Sequence, residues 1–131
     1  MKFKSYAQGK WIDGDGNGKS LFNAISGAEI GTASSKGLDF EGMLNYARTV
    51  GGPALRKMTF LERGLMLKAL ALHLTSIKKI FYTSSAQTGA TKTDSWIDIE
   101  GGIGNLFANA SLRRQFGDET FYVDGEMAPL S

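Results

Sequence analysis

Thr59-Phe60-Leu61-Glu62-Arg63, followed by Gly64-Leu65-Met66-Leu67-Lys68-Ala69-Leu70-Ala71-Leu72-His73-Leu74, is the stretch that decides the fold. It opens with a threonine three residues before a glutamate. In that pattern the hydroxyl accepts from the third helical amide and the carboxylate reaches back to the amide of the cap. Behind it Phe60, Leu67, Leu70, Leu74, Ile77 and Phe81 recur at three- and four-residue steps. That spacing predicts an amphipathic helix running until Gly89.

Towards the C-terminus, Thr88-Gly89-Ala90-Thr91 is expected to reverse the chain. A second helix is predicted from Thr93 or Asp94 to Phe116, capped at Asp94, with Trp96, Ile99, Ile103, Leu106 and Ala110 as its apolar stripe. An isolated strand is expected at Thr120 to Val123, just before the end at Met127-Ala128-Pro129-Leu130-Ser131. A lone strand must pair with something, either upstream or beyond the end of this chain. Towards the N-terminus, Leu38, Met43, Leu44, Ala47 and Val50 share a helical face, and Gly51-Gly52-Pro53 is expected to break that run. Earlier still, Phe3 to Ala7 and Lys10 to Ile12 flank Gln8-Gly9 as a hairpin, and Leu21 to Ile25 and Glu29 to Ala33 read as strands. The chain is therefore expected to be mainly α, with a β-rich lead-in over 1–36, helices over 37–116, and a strand with a truncated end over 117–131.

The chain has 131 residues, 42% of them hydrophobic, and a net charge of +2 with no block of one sign. That balance points away from nucleic acid and anionic membranes as partners. No apolar run approaches the ~20 residues of a membrane helix, and the polar start Met1-Lys2-Phe3-Lys4 is unlike a secretory signal. A cytoplasmic protein is expected. There is no cysteine and a single histidine, His73, so neither a thiolate nucleophile nor a cysteine-ligated metal site exists in this chain.

Other candidate chemistry has plainer readings. Asp13-Gly14-Asp15-Gly16-Asn17-Gly18 lacks the following helix of a dinucleotide site and the closing glutamate of a calcium loop, so it reads as a loop. His73 reads as a side chain at the edge of its helix, hydrogen-bonded or wet. Thr83, Ser84, Ser85 and Thr88 read as helix-end hydroxyls, and Asp94, Asp98 and Glu100 as a solvated face. Gly101-Gly102-Ile103-Gly104 is harder to dismiss, because each helical glycine costs up to about 1 kcal/mol relative to alanine. Close packing against a backbone, or room for a ligand, are the two reasons available.

In this order the segments resemble the aldehyde dehydrogenase superfamily. Gly9-Lys10-Trp11-Ile12 with Gly14 is similar to its opening hairpin. Phe22-Asn23-Ala24-Ile25-Ser26-Gly27-Ala28-Glu29 is similar to a segment in which proline usually stands at the place of Ala24. Thr59-Phe60-Leu61-Glu62-Arg63 matches the helix that follows, and Thr88-Gly89-Ala90 matches a turn in which lysine is usual at Ala90. A narrower resemblance, to the bifunctional phenylacetic acid degradation family, is carried by Gly37-Leu38-Asp39-Phe40, Gly51-Gly52-Pro53-Ala54-Leu55-Arg56 and Asp94-Ser95-Trp96-Ile97-Asp98-Ile99-Glu100-Gly101-Gly102-Ile103-Gly104. In that family an aldehyde dehydrogenase half is joined to a hydratase-like half.

The resemblance implies an α/β parent fold, NADP or NAD as cofactor, a small-molecule aldehyde carried on a coenzyme A thioester as substrate, and a homo-oligomer. It also implies a cysteine nucleophile, a glutamate base, an oxyanion-binding asparagine and nucleotide-binding glycines, none of which maps onto this chain. No catalytic, cofactor-binding or metal residue is therefore carried over, and the chain alone is expected to bind no cofactor and to be inactive. Ile99, Gly102 and Ile103 are expected to border the substrate tunnel. Taken alone, the chain is expected to leave apolar helix faces bare. The rival expectation is a free-standing helical interaction module that uses the stripe from Phe60 to Phe81 as its contact face.

Overall fold

The computed structural model describes residues 1–121, which form a small β lead-in and a mainly helical remainder. Strands β1 (Lys2–Phe3), β2 (Ser5–Ala7) and β3 (Lys10–Ile12) come first. Between β2 and β3, Gln8 and Gly9 both take positive φ (52° and 80°), which matches the twist of a two-residue hairpin. The register sets Tyr6 opposite Trp11, and their rings meet edge to face with centroids 5.2 Å apart. The expected strand from Phe3 to Ala7 is divided. Its first part pairs in parallel with β5 (Glu29–Ala33), while its second part pairs with β3.

Strand β4 (Lys19–Phe22) pairs antiparallel with β5, giving the sheet order β1-β5-β4. It ends at Phe22, short of the expected Ile25. The side chain of Asn23 accepts from the amides of Ile25 (2.9 Å) and Ser26 (3.1 Å), a local turn that competes with the ladder. The Asp13 to Gly18 loop joins β3 to β4. Lys2 Nζ donates to the carbonyls of Gly14 and Gly16, and Ser34 Oγ donates to that of Asp15 (2.8 Å). The loop carbonyls are thus taken up by the chain itself.

Helix α1 (Phe40–Tyr46) is capped by Asp39, whose carboxylate accepts from the Gly42 amide at 2.8 Å. Gly51-Gly52-Pro53 does not break the run. The helix widens to a π turn over Ala47–Gly51 and continues as α2 (Gly52–Lys57). The proline sits in the first turn of α2, where a missing N–H leaves no α-helical partner wanting. The break comes at Met58, whose backbone is extended.

Helix α3 (Phe60–Gln87) begins as expected. Thr59 Oγ1 accepts from the Glu62 amide (3.2 Å) and Glu62 Oε2 accepts from the Thr59 amide (2.8 Å). After Gly89 (φ +84°) the chain turns back into α4 (Lys92–Ser111). The cap of α4 is Thr91 and not Asp94. Thr91 Oγ1 accepts from the Asp94 amide at 3.1 Å, which places Asp94 in the first turn, where its charge complements the helix dipole. The far end is Ser111, followed by a single 3₁₀ turn over Leu112–Arg114, and not Phe116. Thr120 and Phe121 are not in a strand, and Tyr122 and Val123 of the expected strand lie outside the described residues.

The two long helices run antiparallel, as the contacts of Ser85 with Ser95, Lys78 with Glu100 and Gly64 with Ala110 demonstrate. Their seam is built from small residues. Gly64 and Ala71 are the buried residues of α3, and Ser95, Ile103 and Ala110 are those of α4. Trp96, expected in the stripe, is 59% exposed, because Ser95 occupies the seam at that level and is bonded to Ser85. Beyond α4 the chain returns to the start of α3. Phe116 stacks on Phe60 (4.8 Å), the Phe60 amide donates to the Glu119 carbonyl (2.8 Å), and Arg63 reaches the carbonyl of Thr120 while lying over the Phe60 ring.

Gly64 and Gly101 should respond oppositely to enlargement. A Cβ on Gly64 would lie 2.7 Å from that of Arg113 and 3.0 Å from the Ala110 carbonyl, whereas one on Gly101 meets nothing within 4 Å. Gly64→Leu is expected to cost about 1–3 kcal/mol through overpacking. Gly101→Ala should gain up to about 1 kcal/mol of helix propensity. Urea unfolding followed by circular dichroism measures both, and a neutral Gly64→Leu would mean that the helices do not close there.

Candidate functional site

Along one flank of the α3–α4 seam lies an open groove of about 440 Å³. Because the seam is filled by small side chains, the larger apolar residues next to it splay apart and become walls. Leu74 and Phe81 come from α3, and Ile99 and Ile103 from α4. Ile103 is 7% exposed and forms the floor. Gly102 lines the groove, and a Cβ there would meet nothing within 4 Å, so the glycine leaves space. The structure therefore brings Ile99, Gly102 and Ile103 to one concave surface. Gly101 and Gly104 do not line it, and added Cβ atoms there also meet nothing. No close packing within the described chain accounts for these glycines.

Polar groups gather at the end of the groove near the helix turn. Ser84, Ser85 and Thr88 come from the last turns of α3, and Asp98 from α4. Ser85 and Ser95 share a hydrogen bond between hydroxyls (2.8 Å), and Thr88 Oγ1 donates to the Ser85 carbonyl (2.7 Å). From the sequence these hydroxyls are expected to satisfy the helix end. Thr88 does that, while the four-residue step from Ser84 to Thr88 puts both on the groove side of α3. An apolar trough with a few convergent polar groups is the usual form of a small-molecule site.

Over its whole length the chain is 34% identical to a 3,4-dehydroadipyl-CoA semialdehyde dehydrogenase of Aromatoleum evansii. The chain spans 26% of that protein's length. No family model matches the chain. The similarity supports a dehydrogenase-related origin for this segment, and the mainly helical architecture with a few short strands is compatible with a piece of a larger dehydrogenase.

The candidate phosphate loop does not fit a nicotinamide cofactor. The glycine-rich Asp13 to Gly18 loop leads from β3 into another strand, and its carbonyls are engaged by Lys2 and Ser34. A dinucleotide phosphate needs free amides at a helix start after a buried strand. Among the described residues no group of three His, Cys, Asp or Glu side chains is placed to hold a metal ion. No helix there is long and apolar enough to cross a membrane. His73 is exposed on α3, in keeping with a wet edge position.

On the opposite flank of the seam, Glu100 is not a solvated carboxylate. Its Oε1 accepts from Lys78 Nζ (2.7 Å) and from the Tyr82 hydroxyl (3.2 Å). Lys78 and Tyr82 stand one turn apart on α3, a spacing that was visible in the sequence, although the partner across the seam was not. The hydrogen bond from Lys78 holds the Glu100 carboxyl below its ordinary range, and the same bond raises Lys78. Partial burial, then the bond to Glu100, raises Tyr82. A carboxyl depressed in the folded state contributes stability above its unfolded pKa and loses it as pH falls through the folded value. The urea midpoint should therefore fall on acidification below about pH 5, and Glu100→Gln should flatten that dependence. Parallel acid limbs in the two proteins would refute the assignment. The raised Lys78 gives the mirror case, its contribution persisting into alkali and fading as pH rises through its folded pKa.

Proposed function

We propose that this chain is the N-terminal segment of an NAD(P)-dependent aldehyde dehydrogenase that oxidises a coenzyme A-thioester semialdehyde to the corresponding acid. The observation that carries the reading is the alignment of the whole chain, at 34% identity, with one part of a dehydrogenase whose name specifies such a substrate. In the proposed enzyme, which we take to be a homo-oligomer serving phenylacetate degradation, this segment is scaffold and Ile99, Gly102 and Ile103 border the substrate tunnel. The nucleophile and the cofactor site belong to the remainder of the polypeptide. Alone, the segment has no cysteine to attack an aldehyde and is inactive.

The bare apolar surface supports this reading. Leu61, Leu65 and Leu72 point away from α4, with Leu72 54% exposed, and Ile97 is bare on α4. The rival module reading would use the stripe from Phe60 to Phe81 as a contact face. Yet Leu74 and Phe81 face α4 across the groove, and Phe60 and Leu67 line a cleft shared with Leu112 and Phe116. That reading is left with Leu70 of the stripe and the Leu61, Leu65 and Leu72 flank.

Reading the source DNA past the codon for Ser131 tests the proposal. The frame is expected to continue into a glycine-rich nucleotide-binding segment and a cysteine. The extended product should then reduce NAD(P) in the presence of an aldehyde while the 131-residue chain does not. A stop codon with no dehydrogenase sequence beyond it would sink the reading.

A further inference from the structure

We propose that Asn17 is a site of spontaneous covalent modification, at which the backbone amide of Gly18 displaces the side-chain amide and converts the asparagine to aspartate and isoaspartate. Two groups must be free for that reaction, the side-chain carboxamide and the amide nitrogen of the following residue. Asn17 is exposed in the loop between β3 and β4, and neither its side chain nor the Gly18 amide has a hydrogen-bond partner among the described residues. The fold also keeps that nucleophile unhindered. Gly18 stands at φ +71°, and a Cβ there would lie 2.6 Å from the Ala33 carbonyl oxygen, so glycine is the residue this turn accepts. The chain's four other asparagines are held. Asn23 Oδ1 accepts from two amides, and the amide that follows it, of Ala24, donates to the Gln87 carbonyl at 2.9 Å. Asn45, Asn105 and Asn109 lie within α1 and α4, where the next amide is committed to the helix ladder.

The Gly18 nitrogen gives its proton to solvent base and attacks the Asn17 side-chain carbonyl carbon. A C–N bond forms, the bond to the side-chain nitrogen breaks, and that nitrogen leaves with the electron pair and is protonated to ammonia. Water then adds to either carbonyl of the resulting succinimide and opens it, leaving aspartate or isoaspartate with no change of oxidation state. Each product carries one more negative charge than asparagine. Isoaspartate also routes the main chain through the former side chain and lengthens it by a methylene. On one side of Asn17 the loop is pinned, with Lys2 Nζ donating to the Gly14 and Gly16 carbonyls and Asp15 bonded to Lys36 and Ser34. On the other side β4 begins at Lys19. Asn17-Gly18 is the link between the two, so the added length displaces the Gly16 carbonyl from Lys2. Lys2 belongs to β1, whose pairing with β5 is accompanied by a bond from the Thr32 amide to the Met1 carbonyl (2.8 Å). Modification at Asn17 therefore loosens β1 on β5.

The test incubates the 131-residue chain in warm, mildly alkaline buffer and follows each asparagine by peptide mapping and mass spectrometry. An isoaspartyl methyltransferase with labelled S-adenosylmethionine marks isoaspartate. Asn17 is expected to convert first and alone, with isoaspartate among its products and a rate that rises in proportion to hydroxide. Asn17→Gln, which must close a larger ring, should lose the methyltransferase label. Hydrogen exchange at the Thr32 amide should be faster in the isoaspartate form. Asn17→Asp, which adds the charge but no methylene, should keep the protection of the unaltered chain. The proposal is overturned if any of the four held asparagines converts as fast as Asn17 in the folded chain, or if Asn17 converts in urea and stays intact in buffer. Aspartate formed without isoaspartate would overturn the route through Gly18. Thr32 protection that is unchanged in the isoaspartate form, or equally lost in Asn17→Asp, would overturn the argument from chain length.

Discussion

The close approach of α3 to α4 is the constraint on which the rest depends. Among the described residues no large side chain is fully buried, so the fold is held by contact along the seam and not by a deep core. Gly64, Ala71 and Ser85 recur on one side of α3 at seven-residue multiples, and Gly64 meets Ala110 as Ser85 meets Ser95, in antiparallel order. Ala71 is wholly inaccessible and Ala110 nearly so, although neither has a long side chain to bury. Backbones that come this close gain dispersion contacts over a long line, each small and the sum large.

Choosing small residues for the seam decides what the flanks must be. On one flank Leu74, Phe81, Ile99 and Ile103 cannot interdigitate and leave a trough. On the other, Lys78, Tyr82 and Glu100 tie the helices together with polar atoms. At the open end, where Gly64 lets Arg113 lie directly against α3, Phe60 and Phe116 close the gap by stacking. The faces turned away from the seam remain apolar and bare, at Leu61, Leu65 and Leu72 on α3 and at Ile97 on α4. A helix apolar on more than one side is ordinarily surrounded by protein. A segment of a larger dehydrogenase would present such a surface.

Local signals with a stereochemical mechanism were legible in the sequence, and signals that needed a neighbour were not. The Thr59–Glu62 capping box, the Gln8-Gly9 hairpin and the turn at Gly89 each depend on residues adjacent in the chain, and each forms. Asn23 ended β4 early because its side chain satisfies two amides that a longer strand would have offered to a partner. Gly51-Gly52-Pro53 was expected to stop a helix, but the π turn over Ala47–Gly51 carries the chain past it and sets the proline in the first turn of α2. Trp96 misled because apolar character alone does not show where a seam runs. Ser95 is buried there with its hydroxyl bonded to that of Ser85. Ile99, Gly102 and Ile103 were grouped through the resemblance of their helix, with only Ile99 and Ile103 marked by spacing, whereas Ser84 and Asp98 joined them only once the helices were paired.

The residues that carry the sequence resemblance mostly do structural work here. Thr59 and Glu62 cap α3, Arg63 binds the returning chain and covers Phe60, and Asp94 occupies the first turn of α4. Ala24, at a place where the resembled segment usually has proline, uses the N–H that proline would lack. It donates to the Gln87 carbonyl at 2.9 Å and so fastens the β lead-in to the end of α3. These contacts explain why a chain can resemble a dehydrogenase along its scaffold while containing none of the reacting groups. Gly102 is different in kind. It weakens its helix, relieves no clash and opens onto the groove, so no packing among the described residues accounts for it.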